Sequence, residues 1–375
     1  MNNSYLDRQN RHSNSVVVIG LIALLVFGGV IGLSGVASAQ DATNETTAQL
    51  DVTVLNVGQA DAMILETESE VMVIDTGDWN DGGQVVMDEL QARNISHIDH
   101  LVATHQHSDH IGGHAEIINE FENNRGGIGT VYGSGLTATS GTYDDYINAT
   151  ETHNLTINQV REGDTIPFAN RTRVLNPVGE PTDSATGGVV LEVEQNGIDY
   201  LFTGDLERDG ENRLVQDYPN MTIDVLKLGH HGSNTSNTAA LLDEFEPRVG
   251  LLSGSKDNAY GHPSNATLQR LDNRSIPVVW TATHGTYDVR GSDGEISVYA
   301  QNPNSTTDPL NVTTASATSI GPLEPLDMSD PAVVVQTDPR GGVGIIPDEP
   351  IIGGVPNAFV ILVVALGAVL VVGDL

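Results

Sequence analysis

The densest chemistry in the sequence lies between Thr104 and Gly113, where Thr-His-Gln-His-Ser-Asp-His-Ile-Gly-Gly follows the apolar strand-like stretch His100–Thr104. His105, His107, Asp109 and His110 place three imidazoles and a carboxylate within six residues. Imidazole nitrogen and carboxylate oxygen are ligands that zinc accepts without thiolate, and the chain has no cysteine. His105 and His107, two apart at a strand end, can aim at one ion. Asp109 and His110, beyond the turn where a helix should begin, face a second position nearby. A lone histidine would read as a satisfied polar group or a helix cap; four donors this close read as a metal site. Further donors stand after other apolar strands, in Gly204-Asp205 and in Lys227-Leu228-Gly229-His230-His231-Gly232-Ser233. One helix separates those two strands, so their ends can meet at one sheet edge. Asp205 also suits the N-cap of a helix over Leu206–Tyr218. No serine elbow, phosphate-binding P-loop or glycine-rich nucleotide fingerprint competes with the metal reading.

The cluster resembles the His-x-His-x-Asp-His signature of the metallo-beta-lactamase superfamily. More narrowly, Asn56-Val57-Gly58-Gln59-Ala60-Asp61-Ala62, Asp75-Thr76-Gly77, Leu201–Glu207, Leu226–Ser233 and Tyr260-Gly261-His262-Pro263 occur in an order that resembles the extracytoplasmic hydrolase domain of the competence DNA-uptake channel ComEC. The resemblance covers about Gln49 to Gln301. It implies an α/β fold, a four-layer αββα sandwich with the metal centre at one edge of the paired sheets. It also implies a ligand set. His105 and His107 would hold one ion and Asp109 and His110 the other. Asp205 would bridge them, with His230 completing the second site. His230 is preferred there to His231, which is left to contact substrate or hold the loop. Many members of the superfamily carry another histidine between the first cluster and the Gly-Asp strand. Here only His114 and His153 intervene, so the first site is expected to rest on His105, His107, Asp205 and water.

The implied cofactor is two Zn2+, with a single ion or Mn2+ as the alternatives. Asp109, Asp205 and His262 are the candidate catalytic residues. Asp75, at a strand end before Thr76-Gly77, is expected behind the ligands and not on an ion. Lys256 reads either as a phosphate contact or as a solvated loop cation, and His284 as a further substrate-side or supporting candidate. Lys227 is expected to point away from His230. Ions held this way lower the pKa of water, and two of them can clamp the attacking and departing oxygens of a phosphodiester. The expected substrate is therefore a phosphodiester-containing small molecule or DNA. The alternatives are hydrolysis of another small ester, a beta-lactam or a thioester, or a non-catalytic metal-containing module that binds DNA or a surface ligand.

Positioning such a site needs sheets covered by helices. Strand patterns fall at Leu50–Asn56, Ala62–Glu66, Val71–Ile74, Thr172–Leu175, Gly188–Glu194, Asp199–Thr203, Ile223–Leu228, Val249–Leu252 and Val278–Thr281, with a hairpin over Val289–Gln301. Helical spacing falls at Gly83–Arg93, Ile111–Phe121, Leu206–Tyr218, Thr238–Phe245 and Ala266–Leu271.

The remaining sequence bears on location. Arg8 and Arg11 precede an apolar run from Val16 to Val36 that ends in Ala37-Ser38-Ala39. Residues 1–39 therefore read as a signal peptide, or as an uncleaved N-terminal anchor. Residues 49–301 read as the hydrolase domain, 302–321 as a low-complexity linker, 322–350 as a short extension with one strand at Ala332–Gln336, and 351–373 as a C-terminal transmembrane segment. Both readings of the N terminus put the domain on the extracellular face of the cell membrane. No protein partner is legible. Against 50 Asp+Glu the chain has 16 Lys+Arg, for a formal net charge of -34. That excludes a basic groove for nucleic-acid backbones, and it argues against nucleic acid as a substrate without excluding it. The acidic, lysine-poor composition resembles that of halophile proteins, for which molar salt shrinks the screening length to about 3 Å.

Overall fold

The computed structural model describes residues 49–309, 323–326 and 328, together with a pair of two-residue strands, Val364–Ala365 and Ala368–Val369. In the first half, β1 (Leu50–Val54), β2 (Ala62–Glu66) and β3 (Val71–Thr76) form an antiparallel meander. The chain then turns parallel, adding β4 (Ile98–Ala103), β5 (Ile128–Gly133) and β6 (Ile157–Gln159). The crossovers are α1 (Gln84–Ala92), α2 (His114–Asn124) and α3 (Gly141–Thr152). The second half repeats the plan. β7 (Arg171–Asn176), the short helix α4 (Ser184–Gly187), β8 (Val190–Gln195) and β9 (Ile198–Phe202) give an antiparallel set. After it, α5 (Arg208–Asp217), β10 (Val225–Lys227), α6 (Ala239–Phe245), β11 (Val249–Leu252), α7 (Asn265–Asp272) and β12 (Val278–Trp280) continue in parallel. The turn α8 (Thr281–His284) then leads into the hairpin β13 (Tyr287–Ser292) and β14 (Glu295–Ala300), which returns to the first sheet beside β1.

Strand alternation builds the layers. On β1 and β9, Leu50, Val52 and Val54 face Ile198, Tyr200 and Phe202 across a shared core between the sheets. The opposite faces supply two further cores. One joins Ile64, Val73 and Leu101 to Val86, Leu90, Ile117, Ile118 and Phe121 of the first-half helices. The other joins Leu201 and Leu226 to Leu214, Leu241, Leu242, Phe245, Leu268 and Leu271 of the second-half helices. Three apolar interfaces between four layers make this an αββα sandwich, as the resemblance implied.

Three details differ from the expectations. The helix expected to open at Ile111 opens at His114, because Ile111–Gly113 form a turn pressed against the neighbouring backbone. The strands β5 and β6 were not anticipated: Gly129 and Gly133 interrupt the apolar alternation of β5, and β6 is three residues long. The domain also runs past Gln301. Val278 N–H donates to the Thr307 carbonyl at 2.8 Å, the Ser305 hydroxyl to the Thr283 carbonyl at 3.0 Å, and Thr307 is buried. The opening of the expected linker is therefore packed on the domain, and Glu324–Pro325 adds a short fifteenth strand against β14. The signal-peptide segment, the Ala332–Gln336 strand and most of the 351–373 run lie outside the described residues. Among the described residues, no helix is long and apolar enough to cross a membrane.

Candidate metal centre

The site gathers at the carboxyl ends of parallel strands, where open α/β sheets leave a crevice. The β4 end supplies the loop of His105–His110, the β9 end Asp205, and the β10 end His230 and His231. One backbone bond joins the two sheets here and another ties the β9 and β10 ends within the second sheet. Val189 N–H donates to the Thr104 carbonyl at 2.8 Å, and His230 N–H to the Gly204 carbonyl at 3.0 Å.

Two donor groups face the crevice. Ligand atoms of His105, His107 and Asp205 lie within 4.8 Å of one another, as do those of Asp109, His110 and His231, and a third, wholly buried set joins Asp61, Asp75 and His110. Asp205 faces both groups. One carboxylate oxygen, Oδ2, is 3.6 Å from His105 Nε2, and the other, Oδ1, is 3.3 Å from His110 Nε2. The sequence preference for His230 in the second group is corrected by this geometry. His231 Nε2 stands 3.4 Å from Asp109 Oδ2, whereas His230 Nε2 stands 3.7 Å from Asp205 Oδ2, the oxygen that faces His105. The cause is local backbone. Both residues take left-handed conformations at φ 50, which sends consecutive side chains to different sides of Asp205. The side chain of Asn237 holds that turn, accepting from Gly229 N–H and donating to the Gly229 carbonyl, both at 2.9 Å. Left-handed non-glycine residues are costly and concentrate at functional sites. His230 therefore stands on the side where the sequence had left a protein ligand missing.

Asp75 is fully buried against Thr104 and His110. It accepts from Thr104 N–H at 2.8 Å, from the Thr104 hydroxyl at 2.7 Å and from His110 Nδ1 at 2.7 Å. This fixes the His110 ring with Nε2 toward Asp205. His262 meets His230 ring to ring at 5.5 Å. Lys256 is exposed on the Ser253–Pro263 loop. His284 is not brought to the centre. It is buried in the α8 turn, its Nδ1 accepting from Trp280 N–H at 3.0 Å, and burial lowers its pKa to about 4.

Asp61 and Lys227 are what the sequence reading missed. Asp61 was quoted without a role, and Lys227 was expected only to avoid His230. Lys227 does point away from the crevice, into the sandwich, where its ammonium sits 2.9 Å from Asp61 Oδ2 with both side chains buried. Asp61 also accepts from the Ser253 hydroxyl, and its Oδ1 lies 3.5 Å from His231 Nδ1. Asp61 thus stands behind His231 as Asp75 stands behind His110. The available signal was compositional: a lysine inside the apolar strand pattern Ile223–Leu228, in a chain with only two lysines, needs a buried carboxylate.

The donors suit divalent cations. Nε2 of His105, His110 and His231 and Oδ1 of Asp205 are buried atoms without a hydrogen-bond partner. Burial, reinforced by His110, holds the His105 pKa well below the ordinary value, so its nitrogen is free to ligate. Burial alone would raise the Asp205 carboxyl, but His110 and His105 hold it well below the carboxylate range. Burial likewise disfavours a proton on His231, yet Asp61 and Asp109 raise it to about 9. Four clustered carboxylates leave negative charge that protons on His110 and His231 offset, a role a metal ion takes over.

The ligand loop has no slack. A Cβ on Gly112 would stand 2.2 Å from the Asp78 carbonyl carbon and 2.3 Å from the Trp79 nitrogen. Gly112→Ala is therefore expected to cost about 3 kcal/mol, the upper range of overpacking, and to lower bound metal, read by thermal melts and elemental analysis. Retention of both melting point and metal content would contradict this account of the loop.

With this geometry established, the fold and the site define a class: residues 55–256 match the metallo-beta-lactamase superfamily, and the chain belongs to it. Within that class it is ComEC-like. It is 30% identical over 270 residues to ComE operon protein 3 of Bacillus subtilis, covering 66% of this chain and 34% of that protein. It is also 30% identical over 236 residues to competence protein ComA of Neisseria gonorrhoeae, covering 62% of this chain and 31% of that one. The chain thus spans about a third of the length of these curated relatives. Among solved structures it is similar to the metallo-beta-lactamase fold protein YhfI from Bacillus subtilis, at a TM-score of 0.43 and 11% identity, covering 62% of this chain and 96% of that one.

Proposed function

We propose that this protein is a metal-dependent phosphodiester hydrolase, exported and attached to the outer face of the membrane. The observation that carries the reading is Asp205, whose two oxygens each face a separate His/Asp group. His105, His107 and His230 would hold the first ion and Asp109, His110 and His231 the second, with Asp205 shared. Zinc suits the all-nitrogen and oxygen donor set, and manganese is the other metal it accepts. Ions bound there would lower the pKa of water and neutralise charge on the phosphoryl oxygens. The chain's own residues orient the site. Asp75 holds His110, Asp61 stands against His231, and Glu207 lies 3.2 Å from His230 Nδ1. Asp109, half exposed to the crevice, and His262 at its rim are the groups available to take or give a proton. The similarity to competence proteins supports DNA as the phosphodiester. Export and attachment rest on the two apolar ends of the sequence, and working in high salt on its charge.

The test is turnover of single-stranded DNA, duplex DNA and a generic phosphodiester by metal-loaded protein in molar salt, with beta-lactam and thioester substrates alongside. Hydrolysis of a phosphodiester that is lost on chelation and regained with zinc or manganese is expected. Cleavage of only the beta-lactam or thioester would replace the substrate class, and DNA binding without any turnover would replace the enzyme by a binding module. Chelation should also lower the melting temperature by about 10 °C, since ligand at 1,000 times its Kd adds about 4 kcal/mol and each kcal/mol moves a domain this size by about 2–4 °C.

A further inference from the structure

Among the described residues, three large apolar side chains stand exposed: Trp79 at 58%, Val178 at 52% and Tyr260 at 73%. Both aromatic ones are anchored to the rim of the metal centre. Trp79 N–H donates to the carbonyl of Ser108 at 3.1 Å, and Ser108 lies between the donors His107 and Asp109. The Asp78–Trp79 peptide is pressed against Gly112, so the backbone that carries the exposed indole is held beside the ligand loop. On the Ser253–Pro263 loop, Tyr260 stacks on His262 with ring centroids 6.1 Å apart and planes at 21°. His262 in turn meets His230 at 5.5 Å and 68°, and His230 reaches Asp205 Oδ2 at 3.7 Å. Rings therefore follow one another from exposed Tyr260 through His262 to His230 beside the Asp205 carboxylate. The loop carrying it is braced. Asn258 Oδ1 accepts from Tyr260 N–H at 3.0 Å and His262 N–H at 3.1 Å, while Ser255 N–H donates to Gln59 Oε1 at 2.9 Å.

We propose that Tyr260 and Trp79 are stacking platforms for nucleobases, so that the substrate is a single-stranded, base-bearing phosphodiester held chiefly by its rings. This rests on the phosphodiesterase reading for the reaction, but not for the binding. The charge of the chain, -34, gives phosphates little to bind, and backbone contacts weaken steeply as salt rises. Ring-on-ring stacking is tolerant of sequence, needs no positive surface and persists in salt. Paired bases keep their faces closed, so the platforms select single strands.

The two tryptophans make the test direct. Trp79 is exposed and Trp280 is buried, so quenching of solvent-exposed indole emission reports on the rim. Full-length, zinc-loaded protein is titrated with oligothymidylate, with an abasic oligonucleotide of equal length and with duplex DNA. Oligothymidylate should quench and bind at least about 10-fold more tightly than either control, with little change between low and molar salt. Tyr260→Ala should weaken it about 10-fold, Tyr260→Phe should restore it, and Val178→Ser should change nothing. In turnover, Tyr260→Ala should act through KM and narrow the preference for base-bearing over abasic chains. Equal affinity for abasic and base-bearing strands, tighter binding of duplex, or an unaltered Tyr260→Ala variant would overturn the proposal. Base-selective binding without hydrolysis would uphold the platforms and remove the enzymatic reading, whereas hydrolysis without base selectivity would do the reverse.

Discussion

Asp205→Ala is expected to cut phosphodiester turnover by at least about 100-fold, the scale of losing a principal group that stabilises developing charge. It should also reduce bound metal at both positions. The reason is geometric: Oδ2 faces His105 and Oδ1 faces His110, so one side chain is shared by two donor groups. His105→Ala should deplete the first group alone, because the Asp109, His110 and His231 group does not include it. Metal-to-protein ratios and folded fraction must be read beside the rates, since removing a ligand also removes folding free energy. An Asp205→Ala protein that keeps both ions and its rate would remove the shared-ligand assignment.

The second large effect falls on stability. Lys227→Met leaves the Asp61 carboxylate buried without its ammonium partner, and breaking one side of a buried pair costs about 3–5 kcal/mol. For a domain of this size that is about 10 °C in melting temperature. The double variant Lys227→Met with Asp61→Asn removes both charges and should recover much of the loss, which a role confined to packing would not predict. The pH dependence has a definite sign. Burial alone would raise the Asp61 carboxyl, but Lys227 and His231 hold it well below the ordinary carboxylate range. The pair's contribution is therefore complete above about pH 4 and drains away as pH falls through the lowered value. In Lys227→Met the ammonium no longer opposes the effect of burial on Asp61, so its carboxyl takes up a proton at higher pH and the deficit should shrink as the solution is acidified from neutrality. Melts at a series of pH values in molar salt measure both trends, and a deficit that is flat with pH would rule out an unpaired Asp61 as its source.

Much of this protein was legible in its order of residues. A donor cluster directly after an apolar strand is a local pattern, and so are the strand ends at Asp205 and at His230 and His231. Their types and spacing determined that these donors would gather at one sheet edge, because strand periodicity and helical spacing are short-range properties. The αββα layering followed from the same patterns and from the resemblance they carried. What only the tertiary structure decided depends on which side chains meet across the two sheets. The partition of His230 and His231 turns on two left-handed residues held by Asn237, eight positions beyond Gly229. The pairing of Lys227 with Asp61 joins residues 166 apart, and neither side chain announces its partner along the chain. His284 looked available in sequence and is enclosed by its own turn. Sequence sets which groups are present and the local direction of the backbone. Burial, and the distances between atoms of separate strands, are set only when the two sheets close on each other.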